Sequence, residues 1–183
     1  MGTFWDRYSS NSCIQKRKGE DRMDKEAFAS VVLSSTDSLY RISKSILKYD
    51  ADCEDAVQEA IATGFGKLDT LRQEAYARTW LTRILIHECY SLLKGREKSA
   101  AMPAEPKEEA DDKSDYSELY EALGTLKKEY RLTIVLYYLE GYSIEEIGKI
   151  MRVPAGTVKS RLSRGRRELR CIMATGDYEG GRI

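Results

Sequence analysis

The stretch Gly141–Arg170, GYSIEEIGKIMRVPAGTVKSRLSRGRRELR, decides how this chain is read. It divides into two short helices with a tight turn between them. The spacing predicts the first over about Ile144–Met151, with Ser143 placed to cap it and Glu145 and Glu146 in its electropositive first turn. Ile144, Ile147 and Met151 recur at intervals of three and four, which makes one apolar stripe. Arg152-Val153-Pro154 interrupts the pattern, because proline disfavours helix in the residue before it. A second helix starts near Ala155 and runs through Arg170, with Val158, Leu162 and Leu169 on its inner face. Lys159, Arg161, Arg164, Arg166, Arg167 and Arg170 load that helix with positive charge, and only Glu168 opposes them, a formal 6 − 1 = +5. A basic helix braced by an amphipathic partner across a short turn suits the DNA major groove. A solvated basic helix at a domain edge is the competing reading; the small residues Ala155 and Gly156 at the turn and the one-sided charge weigh against it.

Working outward, the chain has 183 residues, 42% hydrophobic and 33% charged, with net charge zero and a pI near 6.6. That length holds one or two small domains. Charge is unevenly spread: Glu105, Glu108, Glu109, Asp111, Asp112, Asp115, Glu118 and Glu121 face only Lys107 and Lys113, while the basic excess lies in the last helix. Such asymmetry marks a nucleic-acid contact in one half. No apolar run reaches membrane-spanning length and no secretory h-region opens the chain, so cytoplasmic residence is expected, without membrane insertion. Cys13, Cys53, Cys89 and Cys171 form no CxxC pair and read as reduced thiols. His87 and Cys89 would point about 200° apart on a helix, which argues against a shared metal.

Helical periodicity dominates the rest. Residues 1–22 read as a loose polar arm, and Met23 stands as an alternative start, since the amphipathic pattern begins only after it. Phe28, Val31 and Val32 open a first helix; Leu39, Ile42, Ile46 and Leu47 continue a second that ends near Lys48–Asp50. Asp52–Leu68 reads as a third, with Ala56, Val57, Ala60, Ile61 and Phe65 inward. Asp69–Tyr76 is a polar connection, and a fourth helix over about Ala77–Lys94 carries Trp80, Leu81, Ile84, Leu85, Cys89, Leu92 and Leu93. Pro103, Pro106, small residues and dense charge mark residues 96–114 as a linker, long enough to span up to ~70 Å if extended. Tyr116, Leu119, Tyr120 and Leu123 begin a second helical domain over 115–173, in which a helix from about Lys128 to Leu139 presents Ile134, Val135, Tyr138 and Leu139 as core candidates. A glycine-rich tail, 174–183, follows. The expected fold class is all-α: two small helical domains, 23–95 and 115–173, on a flexible acidic tether.

Two blocks of the first domain, DADCEDAVQEAIATGFGKLDTL (50–71) and YARTWLTRILIHECYSLLKGREK (76–98), resemble the second conserved region of bacterial RNA polymerase sigma factors, closest to the extracytoplasmic-function group of the sigma-70 family. The later block LGTLKKEYRLTIVLYYLEGYSIEEIGKIMRVPAGTVKSRLSRGRREL is similar to that group's other domain, so the resemblance covers roughly residues 26–172. It implies a promoter-specificity subunit that binds core RNA polymerase and promoter DNA and helps to melt the start site, with no cofactor or metal and no covalent chemistry. The acidic helix would dock on the polymerase through Asp52, Asp55, Gln58 and Glu59, which otherwise read as ordinary surface charges. The proximal (−10) element, as single strand, would meet Phe65, Lys67, Arg72, Tyr76, Trp80, Arg83 and His87, with Arg78 nearby, since single strands ask for aromatic surfaces among cations. Core packing is the competing reading for Phe65 and Trp80. Lys94, Arg96 and Lys98 would hold duplex phosphates. His87 stands where the family commonly has asparagine, which leaves the base preference at that contact open.

The distal (−35) element would be read by Lys159, Ser160, Ser163 and Arg164, with Arg161, Arg166 and Arg167 on phosphates and Thr157 donating near the helix start. Members of the group are commonly held inactive by an anti-sigma factor, often membrane-anchored, so such a partner is implied. Two other functions fit parts of the sequence. A stand-alone helix-turn-helix regulator leaves the first domain without a role. An enzyme acting on nucleic acid needs clustered carboxylates for metal, which are absent outside the tether.

Overall fold

The computed structural model describes residues 23–99 and 122–175. The arm before Met23, most of the expected tether, Tyr116, Leu119 and Tyr120, and the tail beyond Thr175 lie outside the described residues. The described residues are helical, without strands, and form two groups. The first holds α1 (Lys25–Lys44), α2 (Asp50–Gly66) and α3 (Ala77–Ser99), each packed on the other two. The Asp24 carboxylate starts α1 by accepting from the Ala27 N–H at 2.7 Å.

One helix thus stands where the periodicity predicts two. The polar run Ser34–Ser38 contains neither proline nor glycine. The Ser34 and Thr36 hydroxyls donate to the carbonyls of Val31 and Val32 at 3.0 Å, so these two side chains are satisfied within the helix. Phe28, Val32, Leu39 and Ile42 are buried along it. Ala56, Val57 and Ala60 of α2 and Trp80, Leu81, Ile84, Leu85 and Cys89 of α3 complete the core. The α2–α3 connection is not plain coil: two short 3-10 turns, Leu68–Thr70 and Glu74–Tyr76, shape it. α3 runs to Ser99, past its expected end near Lys94.

The second group opens with a helical end at residues 122–125, whose Ala122 and Leu123 are buried. Then come α4 (Lys128–Ile134), a π-helical turn (Val135–Leu139), α5 (Ile144–Met151) and α6 (Ala155–Thr175). The π turn corrects the sequence reading. The Glu140 N–H reaches back five residues to the Val135 carbonyl at 3.1 Å. A wider turn advances each residue by less than the roughly 100° of an α-helix, so the phase slips. Tyr138 and Leu139, expected in the core, are exposed, while Leu132, Thr133 and Leu136 join Ile134 and Val135 inside. Gly165 of α6 lies against α4 so closely that a Cβ there would stand 2.8 Å from Ile134 Cδ1. The two groups are docked, α5 lying on α3, and their buried side chains form one continuous cluster.

Candidate nucleic-acid interface

The turn between α5 and α6 is built from local chemistry. The Ser143 hydroxyl accepts from the Glu146 N–H at 3.2 Å, and the Glu146 carboxylate accepts from the Ser143 N–H at 2.9 Å, which closes a capping box. The Ser143 hydroxyl also donates to that carboxylate at 2.7 Å. Bonds from the Ser143 side chain, then from its backbone, hold the Glu146 carboxyl below its ordinary range. A depressed carboxyl contributes stability that is present at neutral pH and fades as pH falls through the usual carboxylate range towards the folded value. Ser143→Ala is therefore expected to cost about 1 kcal/mol in denaturant unfolding. The melting-temperature gap between the wild type and Glu146→Gln should narrow on acidification.

At the other end of α5, Arg152 takes the left-handed conformation (φ 57°, ψ 46°) and its N–H caps onto the Gly148 carbonyl. Gly148 is needed here: a Cβ would stand 2.9 Å from the Val153 carbonyl oxygen, a backbone atom that cannot swing aside. The turn then delivers α6 at Ala155, as the sequence predicts.

On α6, Val158 and Leu162 are buried and Leu169 is half-buried, so the helix is glued down along one stripe. Lys159, Ser160, Ser163, Arg164, Arg166 and Arg167 are exposed, and Thr157 and Arg161 are half-buried. The Arg166 guanidinium donates to the Tyr138 hydroxyl at 3.2 Å, which the sequence reading missed because it placed Tyr138 inside. The outward face is cationic, with hydroxyls between the charges, on a helix held rigidly at its start.

The candidates around α3 separate into two kinds. Phe65 is half-buried with its ring 4.9 Å edge-on from Phe28, and Trp80 is buried with its ring 5.9 Å from Phe28. Both are held by the core, the competing reading for them. Tyr76, Arg72 and His87 are exposed, and Lys67 and Arg83 half-buried, around the α2–α3 connection and along α3. Arg78, also exposed, places its guanidinium 4.4 Å from the Tyr142 ring centre.

On α2, Asp55, Gln58 and Glu59 are exposed and line a groove of about 790 Å³ with Glu88, Ser91, Leu92 and Arg96 of α3. Asp52 does not share that open face: it is buried and ion-paired with Arg96, so each satisfies the other. Arg96 also lies 5.0 Å from the Tyr49 ring centre. Cys53 and Cys89 are buried free thiols, and burial pushes Cys89 up to about 12, which suits packing rather than reactivity. Among the described residues no cluster of three metal-ligating side chains occurs, and no helix is long and apolar enough to cross a membrane.

The chain matches the family model for sigma-70 region 2 over residues 32–99 and that for sigma-70 region 4 over residues 116–169. It is 30% identical to the RNA polymerase sigma factor SigV of Bacillus subtilis over 142 residues, covering 75% of this chain and 86% of that one. It is 28% identical to the extracytoplasmic-function sigma factor SigW of the same organism over 177 residues, covering 86% and 95%. The Bartonella quintana sigma factor RpoE, solved in complex with the anti-sigma factor NepR, superposes with a TM-score of 0.70 at 26% identity, covering 81% of this chain and 98% of that one. The two matched regions together span more than half of the chain and define a sigma-70 family protein. The chain belongs to the extracytoplasmic-function group of RNA polymerase sigma factors, alternative sigma subunits that direct the polymerase to promoters.

Proposed function

We propose a division of labour over three surfaces. The single observation that carries it is the exposed cationic face of α6 beyond the capped turn. Lys159, Ser160, Ser163 and Arg164 read base edges of the distal promoter element, and Arg161, Arg166 and Arg167 clamp phosphates. Thr157 and the N-terminus of α6 add donors to the backbone. On the first unit, residues 23–95, exposed Tyr76 with Lys67, Arg72, Arg83 and His87 takes up the melted strand of the proximal element. Phe65 and Trp80 serve it from beneath, by fixing the α2–α3 connection through Phe28. The protein acts by binding and carries out no covalent step of its own. It works in the cytoplasm, and an anti-sigma factor of the kind seen with the Bartonella relative is its expected regulator.

Asp55, Gln58 and Glu59, beside the groove between α2 and α3, are the polymerase-docking face, and Asp52 supports them from within through Arg96. Asp55→Lys with Glu59→Lys should lower core polymerase retention in a pull-down by about tenfold or more, with unchanged circular dichroism, since close opposite charges across an interface are coupled. Normal assembly would count against that face. The unit assignment itself, 23–95 for docking and strand capture and 115–173 for the distal element, is tested by giving the isolated 115–173 segment duplex DNA. It should bind the distal element without polymerase, more weakly than the full assembly.

A further inference from the structure

The π turn between α4 and α5 brings a phenol hydroxyl to the DNA-facing helix. Val135–Leu139 widens the helix, and the Tyr142 N–H reaches the Leu136 carbonyl at 2.9 Å just beyond it. Three large side chains in a row are left exposed: Tyr137 at 37%, Tyr138 at 51% and Leu139 at 38%. Keeping Tyr138 out of the core forgoes the stabilisation its burial would bring, and π-helical turns occur often at functional sites. Tyr138 turns towards α6. Its hydroxyl accepts from Arg166 Nη1 at 3.2 Å. Its ring stands edge-on to that of Tyr137, with centres 4.9 Å apart. Close helix packing makes this reach possible. Gly165, the residue before Arg166, lies against α4, where a Cβ would stand 2.8 Å from Ile134 Cδ1 and 3.1 Å from Tyr130 Cβ. A larger residue there would push α6 away from α4 and carry the guanidinium with it.

Arg166 is exposed, and its charge is assigned to phosphate. An unrestrained arginine side chain samples many rotamers and gives up that freedom when a ligand fixes it. A hydrogen bond that already holds the guanidinium near its working place lowers this loss. The planar fork carries five donors, so one can stay on the Tyr138 hydroxyl while others meet phosphate oxygens. We propose that Tyr138 is a positioning residue of the phosphate clamp, its hydroxyl holding Arg166 in the orientation that meets the duplex backbone. The group recognised is the phosphodiester, whatever the base sequence. The proposal rests on the assignment of Arg166 to phosphate.

The test uses the full chain assembled with core polymerase, titrated at several salt concentrations on duplexes that carry the distal element and on scrambled ones. Arg166→Ala should weaken binding to both and lower the slope of log affinity against log salt by about 0.9. Tyr138→Phe keeps the ring and every cation and removes only the hydroxyl. It should weaken binding to both duplexes alike by about 2- to 10-fold, the effect of having to order one long side chain on binding. It should also move the salt slope in the same direction as Arg166→Ala, which the loss of a hydroxyl that merely packs would not do. Added to Arg166→Ala, Tyr138→Phe should bring no further loss, because the hydroxyl acts through the guanidinium. Tyr138→Phe binding at wild-type strength, or with an unchanged salt slope, overturns the proposal and leaves the phosphate assignment standing if Arg166→Ala still shows its loss. Additive losses in the double variant overturn it in the same way. No loss in Arg166→Ala removes the phosphate assignment and the proposal together.

Discussion

Arg164→Ala is expected to reduce binding to the preferred distal element by about 10- to 100-fold while leaving binding to unrelated duplex nearly unchanged, as loss of a bidentate base contact is worth ~1–3 kcal/mol. Arg167→Ala should behave in the opposite way. Its charge is assigned to phosphate, which carries no sequence information. Binding to every duplex should weaken together, and the slope of log affinity against log salt should fall by about 0.9, the counterion released per phosphate contact. Both residues are exposed on the same helix, so neither substitution disturbs the Val158 and Leu162 stripe that anchors it. Titrations on specific and scrambled duplexes at several salt concentrations separate the two roles. An equal, sequence-blind loss for both variants would refute the assignment.

Phe28→Ala is expected to be the most damaging substitution for stability, costing about 3–5 kcal/mol in urea unfolding. Phe28 is fully buried and sits where three elements meet. Phe65 of α2 and Trp80 of α3 rest edge-on against its ring, and a Cβ on Gly64 would come within 2.8 Å of it. Its loss leaves a cavity that the rigid helices cannot close. The same change should loosen the α2–α3 connection, so single-strand binding should drop in the fraction that remains folded. A cost below about 1 kcal/mol would mean that Phe65 and Trp80 are held by something other than this ring.

What was legible in the sequence and what was not divides along a physical line. The helix-turn-helix bounds were readable because their causes are local: Ser143 and Glu146 are three residues apart, and the stripe of Ile144, Ile147 and Met151 repeats within one helix. The charged face of α6 was readable for the same reason. The break expected inside α1 came from reading its apolar residues as two separate sets; the Ser34 and Thr36 hydroxyls bond back to the helix between them, and it runs through unbroken. Tyr138 and Leu139 were misplaced because a π turn changes the helical phase, and no local residue pattern announces it. Trp80 and Phe65 were ambiguous, as aromatic residues serve a core or a stacking surface equally, and only Phe28 decided between the two. The hydrogen bonds of Glu140 and Tyr142 to the first helical group were missed entirely. Their partners, Arg41, Arg78 and Thr82, lie far away in the chain, and the only cue was a lone acid between an apolar run and a glycine.

The central claim is that this chain supplies promoter choice to RNA polymerase. Run-off transcription with purified core polymerase freed of other sigma factors tests it most directly, on templates selected by the assembled enzyme. The account predicts discrete start sites that appear only when the chain is added and that disappear when the distal element is scrambled. Unselective transcripts, or none, from a folded chain free of any inhibitor and stably bound to core polymerase would contradict it.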